Sequence, residues 1–154
     1  MAVTVREAKK EDAERIIELM VRLKKLNEEF DPLYTVRQDI YDVVKKFVEA
    51  SMGKENVAMI VAEDQEVIGF VRLEIRSRMF YEPTMEGVIT DLYVLPPYRR
   101  KGVGKVLIDA AIKELKSRGV YLASAEFPPM NKISVDFYQR RGFKPLLYTF
   151  FKEV

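Results

Sequence analysis

The sequence predicts a mixed α/β fold of the α+β kind, a mostly antiparallel sheet with flanking helices in the order β-α-α-β-β-β-α-β-α-β. Three observations carry that prediction. Two early stretches repeat their apolar residues at helical spacing. Two strand-like runs, Val57-Ala-Met-Ile-Val-Ala and Val67-Ile-Gly-Phe-Val-Arg-Leu-Glu-Ile, are joined only by the polar turn Glu63-Asp-Gln-Glu, which makes them an antiparallel hairpin. Two later strand-like runs, 87–94 and 120–127, are joined through one amphipathic helix and are expected side by side and parallel.

Each element has its own warrant. Val3-Thr-Val-Arg alternates and reads as a first strand. Residues 10–30 read as a helix, with Ile16, Ile17, Leu19, Met20, Leu23 and Leu26 in one stripe and Glu11 and Asp12 at the end that favours negative charge. Asp31-Pro32 breaks it. Thr35 is expected to cap a second helix to about Ala50, turning Val36, Ile40, Val43, Val44, Phe47 and Val48 inward, and Gly53 ends that unit. After the hairpin, a proline-marked loop at Glu82-Pro83 leads to the strand Gly87-Val-Ile-Thr-Asp-Leu-Tyr-Val. A loop and helix from Arg99 to Arg118 precede the strand at 120–127, which Pro128-Pro129 stops. A short helix over about 131–140 and a last strand over 142–151 complete the order. Leu146-Leu-Tyr-Thr-Phe-Phe in that last strand is apolar enough for a dimer edge or a buried central strand.

Composition narrows the chemistry. At 154 residues, 48% hydrophobic and 32% charged, the chain reads as one soluble globular domain, 1–154. Its apolar runs are too short to cross a bilayer and its start lacks a signal-peptide profile, so the cytoplasm is expected. There is no Cys and no His. Disulfides, the usual zinc sites, cysteine nucleophiles and Ser-His-Asp arrangements are thereby excluded, and acid–base work falls to Asp, Glu, Tyr, Lys or water. A net charge of +2 is too weak to argue for nucleic acid, which is an unlikely partner. Abundant Lys, Arg and Glu without Cys fit a heat-tolerant source.

The most informative segment runs from Asp91 to Leu107: an apolar strand, a proline-stopped turn, a basic glycine-rich loop and a helix start. Free N–H groups and the helix dipole at such a start attract anions. Gly102 and Gly104 leave the backbone open to a phosphate, while Arg99, Arg100, Lys101 and Lys105 supply positive charge. The spacing Arg99-x-x-Gly102-x-Gly104 is neither the P-loop nor the dinucleotide fingerprint. It resembles the signature of the GNAT superfamily of acyl-CoA-dependent N-acyltransferases, and the element order resembles that family over essentially the whole chain. The resemblance implies that residues 99–105, Val103 among them, hold the pyrophosphate of coenzyme A. It also implies that the parallel pair splays, so that the backbone of Leu92, Tyr93 and Val94 holds the pantetheine arm. The Val94 N–H would then polarise the thioester carbonyl.

A second block, Asn131-Lys-Ile-Ser-Val-Asp-Phe-Tyr-Gln-Arg-Arg-Gly-Phe, resembles the family motif Asn-x-x-Ala-x-x-x-Tyr-x-x-x-Gly-Phe, with Ser134 in place of the small Ala. The likeness implies that Tyr138 protonates the departing thiolate, a role that suits its high pKa. Asn131 caps the helix, contacts the cofactor, or does both. Glu126, twelve residues before Tyr138, resembles the glutamate of the N-terminal peptide acetylating branch and is the leading general base, its pKa expected to rise through partial burial. Where other family members carry a strand glutamate this chain has Val88; Asp91 is a possible substitute, or a strand aspartate tied to a neighbouring Arg. Tyr34, Phe80, Tyr81 and Tyr93 are candidates for an acceptor pocket, and Glu28, Glu29 and Asp31 for attracting a cationic amine.

The resemblance thus implies an N-acetyltransferase that moves the acetyl group of acetyl-CoA, without a metal, to a primary amine on a small molecule, peptide or protein. With no cysteine to carry an enzyme-bound thioester, direct attack is expected. A homodimer is compatible with the apolar end of the chain. Two other readings stay open: a non-catalytic acyl-CoA sensor, and a polyanion- or RNA-binding protein.

Overall fold

Strands form where the sequence alternates or is apolar on both faces, and five of them build one sheet in chain order, β1-β2-β3-β4-β5. The computed structural model describes residues 2–154. Its elements are β1 (Thr4–Glu7), α1 (Ala13–Leu26), α2 (Ile40–Ser51), β2 (Val57–Asp64), β3 (Glu66–Ser77), β4 (Met85–Val94), α3 (Val103–Ser117), β5 (Ala123–Ala125) and α4 (Lys132–Arg140). The pairs β1–β2, β2–β3 and β3–β4 are antiparallel, and β4–β5 is parallel, so the expected hairpin and parallel pair are both present.

Helices cover both faces of the sheet. A Cβ on Gly69 would point at Leu107 of α3, whereas Arg72, of opposite parity on β3, reaches Ser51 and Phe47 of α2. Facing helices on either side explain why β3 is buried from Val67 through Leu73 and reads as a nearly continuous apolar run. The α1 stripe seats Ile16, Leu19 and Met20 in the core with no exposed surface. On the other side α3 contributes Leu107, Ile108, Ala111 and Leu115. The backbone of β4 comes so close to α3 that a Cβ at Gly87 would overlap the Leu115 side chain.

Several boundaries differ from expectation. The first helical segment is a 14-residue α-helix flanked by 3-10 turns at Lys10–Asp12 and Asn27–Glu29. Thr35 caps nothing: its hydroxyl donates to the Pro32 carbonyl at 2.6 Å, closing a 3-10 turn, and α2 begins only at Ile40. Phe47 is correspondingly outside the core, lying under the Arg72 guanidinium. The strand expected over 120–127 pairs through only three residues. The last strand is absent: residues 143–154 carry no regular structure, and Leu146, Leu147, Tyr148, Phe150 and Phe151 are all exposed. A strand exists by pairing, and in the single chain this segment lies along no sheet edge.

One ion-pair cluster ties the amino-terminal strand to the hairpin. Arg6 donates to both Asp12 oxygens, at 2.8 and 3.0 Å, and to Glu63 of β2 at 3.1 Å. The Arg6 hydrogen bonds outweigh burial and, with the Lys9 N–H at 2.7 Å, hold the Asp12 carboxyl below the usual carboxylate range. A folded-state pKa lowered in this way adds stability above the unfolded value, and that stability is lost as pH falls through the folded one. Asp12→Asn is therefore expected to cost about 1.5–3 kcal/mol at neutral pH. In urea titrations the gap to wild type should close in acid; a gap independent of pH would show that the Arg6–Asp12 charge pair is not its source.

Candidate active site

The site begins with a change of parity in β4. Arg72 pairs with Asp91 and the next residue, Leu73, pairs with Ile89, so Thr90 is an extra residue in β4. Before it, residues 87 and 89 turn their backbone to β5: the Gly87 N–H donates to the Leu122 carbonyl at 2.8 Å, and the Glu126 N–H donates to the Ile89 carbonyl at 3.3 Å. After it, residues 91, 93 and 95 turn to β3, as the Leu95 N–H bond to the Ile68 carbonyl at 2.9 Å shows. Leu92 and Val94 consequently direct their amides toward the β5 side. No strand remains there, because β5 pairs only as far as Ala125. A gap opens between the two strands.

The loop above this gap is shaped for an anion. Arg100 (φ +62°) and Gly102 (φ +81°) both adopt left-handed backbone, which turns the chain sharply into α3. Gly102 has nothing within 4 Å of its would-be Cβ, so its need is conformational and its surface is open. Gly104 serves packing as well: a Cβ there would stand 3.2 Å from Phe137 of α4. Val103, 2% exposed, anchors the helix start in the core. The first intrahelical bond of α3 runs from the Val106 N–H to the Gly102 carbonyl, so the preceding amides lack helical partners. Arg99 is partly committed, donating to the Val94 carbonyl at 2.8 Å with its guanidinium 5.2 Å from the Tyr93 ring. Lys105 pairs with Asp109, while Arg100 and Lys101 form no ion pair among the described residues. Open amides, a fifteen-residue helix dipole and unpaired cations fit the diphosphate of coenzyme A.

Below the gap lies a cleft of about 580 Å³ between α1, α2 and the strands, walled by Met20, Ile40, Val44 and Phe47. Its floor is a chain of charges. Asp91, 4% exposed, accepts from Lys24 of α1 at 2.6 Å and from the Thr90 hydroxyl at 2.9 Å. Arg72, 1% exposed, donates to Ser51, Thr90 and Glu74 at 3.0–3.1 Å and stacks on Phe47. Burial pushes the Glu74 carboxyl up, but the hydrogen bonds and charges of Arg72 and Arg76 outweigh it and leave the group below its ordinary value. Arg76 also faces Glu126 at 3.5 Å.

Several expected residues stand elsewhere. The Glu126 side chain reaches the cleft but is 60% exposed, because it projects beyond the last paired residue of β5; the expected partial burial is not found. Asp91 has a lysine partner, not an arginine. Of the four aromatics only Tyr34 lines the cleft: Phe80 and Tyr81 are exposed on the 78–84 loop, and Tyr93 is buried in the core. Glu28 and Glu29 face solvent outside the cleft, and the Asp31 carboxylate accepts from the Leu33 N–H at 2.8 Å.

On the far side of the gap, α4 positions the second motif. The Asn131 side chain accepts from the Ser134 N–H at 3.1 Å and so caps the helix. Tyr138 is 6% exposed, stacked on Phe127 at 5.2 Å and met edge-on by Phe137 and Phe143 at 5.1 Å. Burial raises its phenol well above the ordinary value; Arg141 opposes this and Asp91 adds to it. The hydroxyl keeps its proton throughout the physiological range.

Comparison with known proteins decides the family. The model of the Acetyltransferase (GNAT) family matches residues 22–143. The chain belongs to this family. As a GNAT acetyltransferase it is 28% identical over 110 residues to an uncharacterized N-acetyltransferase of Archaeoglobus fulgidus, covering 71% of each chain. It is 31% identical over 107 residues to an N-alpha-acetyltransferase of Sulfurisphaera tokodaii, covering 64% of this chain and 62% of that one. Among solved structures, the aminoglycoside N-acetyltransferase AAC(6')-Iy in complex with CoA superposes with a TM-score of 0.80 at 22% identity, over 99% of this chain and 95% of that one. Its likeness shows the same fold.

The family motifs point to the loop and to α4, and Asp91 and Glu126 stand out in the sequence, but Lys24, Arg72, Glu74 and Arg76, which complete the charged floor, do not. Lys24 sits one helical turn after the buried Met20, on the inner face of α1, and Arg72 interrupts an otherwise apolar strand. Those two placements were the available signals. Lys24→Met leaves the Asp91 carboxylate buried without its cation. Because Lys24 is itself 37% exposed, about 1–3 kcal/mol of destabilisation is expected. A double-mutant cycle with Asp91→Asn should be strongly non-additive; simple additivity would show the two groups uncoupled.

Proposed function

We propose that this enzyme transfers the acetyl group of acetyl-CoA to a primary amine by direct attack within a ternary complex. The observation that carries the reading is the extra residue at Thr90, which turns the Leu92 and Val94 amides into a gap lying between a cationic helix start and a charged cleft. Acetyl-CoA supplies an activated acyl group as its thioester. In this reading Arg99, Arg100, Lys101, Lys105 and the amides of residues 102–104 hold its diphosphate, with Asn131 and Ser134 flanking the arm. The Leu92 and Val94 backbone aligns the arm, and the Val94 N–H stabilises charge on the carbonyl oxygen.

The acceptor enters over the cleft. Its ammonium gives up one proton to Glu126, directly or through one water, and the freed lone pair forms the N–C bond as the C–S bond breaks. The second nitrogen proton leaves to water as the amide forms. Tyr138, held protonated by burial, returns a proton to the sulfur, and solvent restores the proton that Tyr138 gives up. The setting proposed is the cytoplasm and a single domain.

The charges of the cleft also bear on the acceptor. Glu74, Asp91 and Glu126 each already face a cleft cation, while Arg76 is 40% exposed. A polycation would find no unpaired carboxylate among these three. Arg76 is shared between Glu74 at 3.4 Å and Glu126 at 3.5 Å, both long contacts on a partly exposed side chain, so it can turn to a third carboxylate. An amine that brings a carboxylate and an apolar body suits it and the Met20–Phe47 wall better.

Thiol release from acetyl-CoA against a panel of amines tests both levels. Glu126→Gln and Tyr138→Phe should each lower turnover by about 10²-fold or more while acetyl-CoA binding persists. Failure to bind acetyl-CoA would overturn the central reading; full activity in Glu126→Gln would move the base elsewhere. Matched acceptors isolate the carboxylate: lysine should exceed cadaverine in kcat/KM, and Arg76→Gln should erase the difference. A preference for cadaverine would reject the acceptor class and leave the reaction standing.

A further inference from the structure

A guanidinium buried in a sheet is expected to have its donors met, and Arg72 leaves one unused. Its side chain is almost sealed and yet forms part of the cleft wall. Nε donates to the Ser51 hydroxyl at 3.1 Å, and Nη1 donates to the Thr90 hydroxyl at 3.0 Å and to Glu74 Oε2 at 3.1 Å. Nη2 donates to no group among the described residues. Nor is it shut away, because the one fully buried side-chain nitrogen or oxygen without a partner among the described residues is Arg141 Nε. The small exposed area of Arg72 therefore includes Nη2, and that nitrogen opens on the cleft.

The neighbours of this donor define what it can hold. Arg76 approaches Glu74 from the other side, its Nε 3.4 Å from Oε1, so one carboxylate stands between two guanidinium groups. Glu126, 3.5 Å from Arg76, balances the extra positive charge only while it is ionised. In the proposed reaction Glu126 takes up the acceptor's proton, and the balance is lost at that step. A carboxylate on the acceptor restores it, and guanidinium groups are well shaped to hold one.

Building on the acceptor class argued above, we propose that Arg72 Nη2 is a second carboxylate donor and a determinant of acceptor specificity. The acceptor's carboxylate accepts from Arg72 and Arg76 together. The two contribute differently. Arg76 is partly exposed and must be drawn away from long contacts with Glu74 and Glu126, whereas Arg72 is fixed by three hydrogen bonds and by Phe47 before the acceptor arrives. A donor ordered in advance loses little freedom on binding. A polyamine offers Nη2 no oxygen and leaves it unpaired in a cleft from which its own body displaces water.

Arg72→Lys keeps the charge and removes the fork. The ratio of kcat/KM for lysine to that for cadaverine should fall about tenfold or more, through the KM for lysine. Cadaverine shares the chain and the reacting amine, so it reports whatever else the change disturbs, and a loss of folded enzyme cancels from the ratio. A ratio equal to that of wild type overturns the role of Arg72 and leaves the acceptor class standing. A wild type that prefers cadaverine rejects the acceptor class itself, and this inference with it. A crystal structure of the wild-type enzyme with lysine and coenzyme A bound is independent of any variant. A carboxylate oxygen is expected within hydrogen-bond distance of Nη2; a carboxylate held by Arg76 alone overturns the proposal.

Discussion

One inserted residue governs this molecule. A strand shows its two neighbours alternate amides, so a regular β4 facing β3 throughout would keep one register to its end. Thr90 breaks the alternation after Ile89, at the point where pairing with β5 stops. The result is a strand secured on one side for its whole length and open on the other for its last residues. The helix start of α3 then lies over the opening, because Pro96, Arg100 and Gly102 fold the connection back tightly. Gap, anion site and cleft all take their positions from that shift.

The shift is held by a continuous polar chain. Lys24 bonds Asp91, Asp91 bonds Thr90, Thr90 bonds Arg72, and Arg72, Glu74 and Arg76 pass the chain to Glu126. Burying Arg72 in a sheet core is costly unless its donors are met. Here Ser51 accepts from Nε, Thr90 and Glu74 accept from Nη1, and Phe47 covers the guanidinium face. Such a network is worth less as net stability than as a selector of one arrangement: any register other than the bulged one would leave several of these groups unpaired.

What the sequence disclosed, and what it hid, follows from the range of each interaction. Helix stripes, the hairpin and the basic loop are written within windows of a few residues, and they were legible. The Asn131 cap and the motif position of Tyr138 were legible for the same reason, whereas the burial of Tyr138 was not. Lys24 and Asp91 are 67 residues apart, and nothing local announces their bond. The bulge was hidden because it depends on the register against β3. Glu126 was found by its distance from Tyr138, yet its exposure was misjudged, since a strand end is buried only if the sheet continues beside it. The tail failed as a strand for that reason as well: apolar alternation states a capacity to pair, not the presence of a partner.

Charge is used in two opposite ways across the gap, and the contrast explains how a chain of net charge +2 can hold a multiply anionic donor. In the cleft, cations are matched by carboxylates and fixed by them, so they preorganise the floor. On the loop, Arg100 and Lys101 are unmatched among the described residues and sit beside free helix amides. Electrostatic attraction weakens within about 10 Å in salt solution, so local arrangement counts for more than the total. A few unpaired cations around one helix start suit a compact diphosphate, whereas the same charges spread along a face would suit a polymer. The placement therefore favours the coenzyme over nucleic acid, and it does so without any excess of basic residues.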